Sequence, residues 1–97
     1  MTIYALSTGN GMSGIAVIRV SGPDAGNVIR KITNSNVPKP RLATLKKFKK
    51  INTNELIDEG ILIWFPGPES YTGEDMAEFH VHGSRAVIDA IHSSISK

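Results

Sequence analysis

Two hydrophobic periods run along this chain. Extended segments show an apolar period of two or an unbroken apolar run, and helices show a period of 3.6. Residues 2–8 read as a first strand, with Ile3, Tyr4, Ala5 and Leu6 spread over both faces. Ile15-Ala16-Val17-Ile18-Arg19-Val20 is apolar on both faces except at Arg19, the pattern of a central strand covered on both sides. Ser21-Gly22-Pro23-Asp24 reads as a helix start: a capping serine or glycine, proline in the first turn, and an acid near the positive end of the dipole. Ala25, Val28, Ile29 and Ile32 then form one apolar stripe, and the helix is expected to stop near Asn34. Residues 41–51 read as a third strand at a sheet edge, and Asn52-Thr53-Asn54-Glu55 as the turn of a hairpin. Its return arm, residues 59–65, is the most apolar run in the chain and is expected to be central.

Pro66, Gly67 and Pro68 break that strand, because proline lacks a ladder donor and restricts the residue before it. A fifth strand follows over residues 76–82. Alternation puts Met76, Glu78, His80 and His82 on one face and Ala77, Phe79 and Val81 on the other. Ser84 caps a last helix with Val87, Ile88, Ile91 and Ile95 on one side. No glycine or proline stops it before Lys97, which predicts a chain truncated from something longer. The order β-β-α-β-β-β-α predicts an α+β domain spanning residues 1–97, a mixed five-stranded sheet with helices packed on it. No repeat, low-complexity segment or linker marks a second domain.

Composition changes this picture only at the margins. A chain of 97 residues supports one modest core. With no cysteine, disulfides, thiolate catalysis and thiolate zinc sites are excluded. No apolar run approaches the ~20 residues that span a bilayer, and no charged-then-apolar leader opens the chain, so the expectation is a cytoplasmic protein with no membrane partner. The net charge of +2 permits an anionic partner without demanding one. Its densest part, Lys46-Lys47-Phe48-Lys49-Lys50, reads either as a solubilising edge strand or as a basic RNA-contact surface.

Candidate chemistry gathers in residues 65–84, where Glu69, Glu74, Asp75 and Glu78 accompany Tyr71, His80 and His82. Glu78, His80 and His82 share a strand face, which is compatible with a solvated polar face or with a metal site. Arg19 must find an anion or reach solvent; a carboxylate of the 69–78 stretch and a bound ligand fit equally. Gly9-Asn10-Gly11-Met12-Ser13-Gly14 matches G-x-G-x-x-G in letters only. A strand, not a helix, follows it, and residues 29–38 hold no acid for a ribose. No G-x-x-x-x-G-K-[ST] occurs, so this chain is expected neither to bind nor to hydrolyse GTP.

Three segments together carry a family resemblance. They are Thr2-Ile3-Tyr4-Ala5-Leu6-Ser7-Thr8 with Gly14-Ile15-Ala16-Val17-Ile18-Arg19-Val20-Ser21-Gly22-Pro23; Pro38-Lys39-Pro40-Arg41-Leu42-Ala43; and Asp58-Glu59-Gly60 with Phe65-Pro66-Gly67-Pro68-Glu69-Ser70-Tyr71-Thr72-Gly73-Glu74-Asp75 on to His82-Gly83. In order and spacing they resemble the N-terminal domain of the MnmE (TrmE) family of tRNA modification GTPases, over essentially the whole chain. The resemblance implies a fold like the tetrahydrofolate-binding domains of one-carbon enzymes. It also implies a homodimer and a bound 5-formyltetrahydrofolate that supplies a one-carbon unit, with Arg19 and Glu78 as folate-binding residues. A further folate lysine of the family belongs to a segment beyond residue 97. The family modifies the wobble uridine of certain tRNAs at C5 with a flavin-containing partner subunit. GTP hydrolysis, with its magnesium and potassium, and the catalytic cysteine belong to later domains. Self-association is expected through a sheet edge or the turn at residues 69–73. Two departures stand out: Thr8-Gly9-Asn10-Gly11 replaces the family's T-P-x-G, and His82-Gly83-Ser84 its H-G-G.

Overall fold

The computed structural model describes residues 2–6, 14–70 and 72–96. Its elements are β1 (Ile3–Leu6), β2 (Ile15–Ser21), α1 (Ala25–Thr33), β3 (Thr44–Lys49), β4 (Leu56–Phe65), β5 (Met76–His82) and α2 (Arg85–Ile95). The strands form one sheet in the order β1-β2-β5-β4-β3. Every pairing is antiparallel, so the α+β class stands while the expected mixed sheet does not. Topology is the reason. The α1 crossover delivers the chain from β2 to the far edge, and tight or looped reversals join β3 to β4 and β4 to β5.

Alternation sorts the side chains into two faces. Ala16, Ile18 and Val20 of β2 meet Ala77, Phe79 and Val81 of β5, Leu62 and Trp64 of β4, and Phe48 of β3 in one buried cluster. Ile29 and Ile32 of α1 and Ile91 of α2 close it from above, each fully buried. Phe48 and Phe79 pack edge to face at 5.2 Å between ring centres, the arrangement favoured by the aromatic quadrupole. Both helices lie on this face and touch each other. The apolar stripes read from the sequence therefore face inward, with Val28, Val87, Ile88 and Ile95 partly buried against the cluster.

Among the described residues the opposite face carries no helix, which corrects the expectation that β2 is covered on both sides. Ile3, Ile15 and Leu45 are each more than half exposed. A β-branched run records that a face can be buried, not that the chain supplies the cover.

The helix ends are set locally. Ser84 Oγ accepts from the Val87 N–H at 3.2 Å, so the serine of His82-Gly83-Ser84 is the cap of α2. Asn34 closes α1 in the left-handed region (φ 53°). Pro23 lies before α1 rather than in its first turn, because Ala25 N–H is taken by Gly22 O in a turn that precedes the helix. Asp24 occupies the cap position without a side-chain cap bond, and its own N–H donates to Thr2 Oγ1. The glycine-rich loop expected at residues 9–14 falls, except for Gly14, outside the described residues. So do Tyr71 and Lys97.

Gly60 admits β4 alongside β5. A Cβ there would stand 2.0 Å from the carbonyl oxygen of His80 and 3.2 Å from the Phe48 ring. Neither the ladder nor the core can retreat cheaply, so Gly60→Ala is expected to destabilise the fold by about 1–3 kcal/mol, as overpacking does. Urea denaturation of the two proteins measures this, and equal midpoints would refute the close approach.

Candidate functional site

The sheet face away from the helices is mostly apolar, with a charged cluster at its centre and Lys47 opposite Glu59 towards the β3 edge. Register places Val17 and Ile61 beside His80, and Arg19 and Ile63 beside Glu78. Cross-strand neighbours share a face, so the ion-forming groups converge among branched aliphatics. Arg19 Nε donates to Glu78 Oε2 at 2.7 Å, and His80 Nε2 donates to Oε1 of the same carboxylate at 3.0 Å. The Glu78 side chain is only 12% exposed, whereas Arg19 and His80 are more open. Burial by itself pushes the Glu78 carboxyl up. The hydrogen bonds and charges of Arg19 and His80 outweigh it and hold the group below its ordinary value of 4.5.

A second pair lies where β4 and β5 stop pairing. Asp58 Oδ2 accepts the backbone N–H of His82 at 2.8 Å, and Oδ1 accepts from His82 Nδ1 at 2.8 Å. Burial raises the Asp58 carboxyl, but its hydrogen bonds from His82 and from the Glu59 backbone leave it below 3.8.

Of the residues singled out by sequence, Arg19 and Glu78 are brought together. Arg19 takes Glu78 rather than one of the other acids. Glu69 and Glu74 are exposed on the 66–75 loop. Asp75 is structural: its Oδ1 accepts from Gly67 N–H at 3.0 Å and its carbonyl from Gly22 N–H at 2.9 Å. Glu78, His80 and His82 do not converge as metal ligands, because the two imidazoles turn to different carboxylates. Among the described residues no group of three or more potential ligands forms. Asp58 is the residue that reading for sites missed. It lies 24 positions before its partner, and only the β4–β5 register brings the two together. The basic cluster lies on the β3 edge, with Lys50 paired to Glu55 at 3.6 Å. A cavity of about 460 Å³ opens elsewhere, between β1, α1 and α2, lined by Tyr4, Asn27 and Lys31 among others, and contains none of the cluster residues.

An antiparallel sheet with helices on one face and an arginine–glutamate–histidine cluster centred on the other defines a two-layered α+β module with a polar centre on an apolar floor. Residues 2–97 match the family model described as GTP-binding protein TrmE N-terminus. The chain belongs to this family, the N-terminal domain of the MnmE/GTPBP3 group of tRNA modification GTPases. It is 72% identical over its whole length to the tRNA modification GTPase MnmE of Pelagibacter ubique, of which it spans 22%. It is 51% identical over 93% of its length to the mitochondrial 5-taurinomethyluridine-[tRNA] synthase subunit GTPB3 of Danio rerio, and spans 18% of that protein. The mitochondrial tRNA modification GTPase gtpbp3 of Dictyostelium discoideum matches at 58% identity over 90% of the chain. The chain thus spans about a fifth of the length of these relatives. No helix among the described residues is long and apolar enough to cross a membrane.

Both carboxyls bind protons more weakly in the fold than in the unfolded chain. Their contribution to stability is therefore present above their ordinary values of 4.5 and 3.8 and is lost as pH falls below them. The urea midpoint is expected to drop between pH 4.5 and about pH 3, and Glu78→Gln to make that drop shallower. A midpoint with the same acid slope in the parent and Glu78→Gln would contradict the assignment.

Proposed function

We propose that this chain is the folate-binding and self-associating module of a tRNA wobble-uridine modification GTPase, with Arg19 and Glu78 at the folate site. One observation carries the proposal: a little-exposed carboxylate whose two oxygens each hold a donor, set in a largely apolar sheet face that neither helix covers. A pterin edge presents a ring N–H and an exocyclic amine side by side, and a carboxylate can accept from both as it does from a guanidinium. Arg19 and His80 hold those two acceptor positions. Folate would take them over, releasing cationic or donor groups beside the formyl oxygen and the carboxylates of the ligand. The apolar floor of Val17, Ile61 and Ile63 suits the flat faces of the rings and strengthens polar contacts made against it. When bound, the formyl-tetrahydrofolate would supply the one-carbon unit. The protein's own part is to orient the ring through Glu78 and to balance its charge through Arg19.

At the level of the whole protein, the proposal includes tRNA as substrate and a flavin-containing partner subunit. It also includes GTP with magnesium and potassium in a separate domain, all in the cytoplasm. The names of the relatives support the tRNA and GTPase parts. Self-association is supported by the uncovered face. Ile3 and Leu45, on the two edge strands, leave apolar surface that a second copy would remove from water, at roughly 25 cal/mol per Å². Contact through this face and its β3 margin fits better than contact through the 69–73 turn, whose Glu69 and Gly73 are exposed and polar or bare.

Glu78→Gln keeps the side-chain volume but turns one acceptor into a donor. It is expected to weaken formyl-tetrahydrofolate about ten- to a hundredfold in calorimetry, the worth of one hydrogen bond to a charged group. Unchanged affinity would reject the site. Leu45→Lys adds a charge to the margin of the open face without touching Glu78. It is expected to leave the thermal midpoint in place while shifting sedimentation towards monomer. A self-association constant that stays the same would move the contact elsewhere.

A further inference from the structure

We infer that the Asp58–His82 pair, which meets where β4 and β5 part, makes a second contact point at which His82, on the strand face of Glu78, offers Nε2 to a carboxylate at the far end of an elongated ligand. The inference rests on the folate reading, and gives the direction in which the ligand lies. The pair has the build of a presented imidazole. Asp58 is 12% exposed and His82 74%, so the anchor is sheltered and the ring is offered. Three contacts of 2.8, 2.8 and 3.1 Å join the one carboxylate to the backbone and ring of the one histidine. A carboxylate only accepts, so Nδ1 must carry the hydrogen between them. Nε2 is then the ring nitrogen left to meet another group, and on protonation it becomes a donor that an anion can use.

Spacing supplies the second argument. His82 follows Glu78 by four residues in β5, which at about 3.4 Å per residue is ~14 Å along the strand. A ligand with a donor-bearing fused ring at one end and carboxylates on a flexible arm at the other spans such a distance. The surface between is suited to an aryl link: Val17 and Ile61 flank His80, and Ile15 stands opposite His82. Glu78 would hold the ring edge, these aliphatics the aryl group, and His82 the glutamate tail.

The test compares formyl-tetrahydrofolate with its formyl-tetrahydropteroate counterpart, which has the same rings and no glutamate, by calorimetry on the parent, His82→Gln, Asp58→Asn and Glu78→Gln. The parent is expected to prefer the tailed ligand. His82→Gln should weaken that ligand roughly three- to fivefold, as an exposed ion pair allows, and leave the tail-less one unchanged. Asp58→Asn should erode the same preference, because the amide cannot hold both the backbone and the ring of His82 as acceptor. Equal parent affinity for the two ligands, or a His82→Gln loss that is the same for both, overturns the tail contact. If Glu78→Gln still weakens both ligands in that case, the folate site survives without it. If neither ligand binds the parent, the folate reading fails and this inference with it.

Discussion

Which residues of β2 and β5 stand opposite each other governs both halves of the molecule. Ile18 faces Phe79 and Arg19 faces Glu78, in consecutive steps of one ladder. A slip of one residue would invert every side chain of β5 relative to the helices. Phe79 would then leave the core, and Glu78 would enter it without its arginine. Burying such a charge unpaired costs several kcal/mol, and exposing a fully buried phenylalanine forfeits a further few. Core and charged cluster therefore select the same register, and neither can be rearranged without the other. The 66–75 loop reinforces it from the end, since Asp75 ties that loop both to itself and to Gly22 at the close of β2.

Much of this was legible before any coordinates. The apolar stripes of α1 and α2, the hairpin turn at residues 52–55 and the two faces of β5 follow from spacing alone, because each depends on neighbours a few positions apart. Three things were not. Ile15, Val17 and Ile63 have the composition of a doubly covered strand, and nothing local distinguishes a buried face from one left open. Arg19 was known to need an anion, but which acid it meets depends on the β2–β5 register, across 59 positions. The Asp58–His82 pair depends on where β4 and β5 part, which spacing along either strand does not report. Family resemblance reached Arg19 and Glu78 by motif; it said nothing of His80 holding the second oxygen.

The placement of the helices explains why the polar centre can exist at all. Had α1 and α2 sandwiched the sheet, Arg19 and His80 would have been cut off from water, and the balance of desolvation against pairing would have turned against them. With both helices on one side, Glu78 is sheltered by its neighbours in the sheet while the donors beside it keep partial access to solvent. The result is a carboxylate in a setting of low polarity whose partners keep access to water.

Displacing those partners has a bearing on discrimination. A carboxylate already holding one donor on each oxygen is indifferent to a newcomer that offers a single hydrogen, since it would gain one bond and forfeit another. An alcohol can win nothing there, and water or an ammonium group, though each carries more than one hydrogen, does not hold two of them parallel on a rigid plane. Only a group bringing two adjacent donors on a rigid plane replaces both contacts in a single step. In the proposed folate site, the intramolecular bonds of Glu78 would thus act as a threshold that screens out solutes bringing one donor at a time.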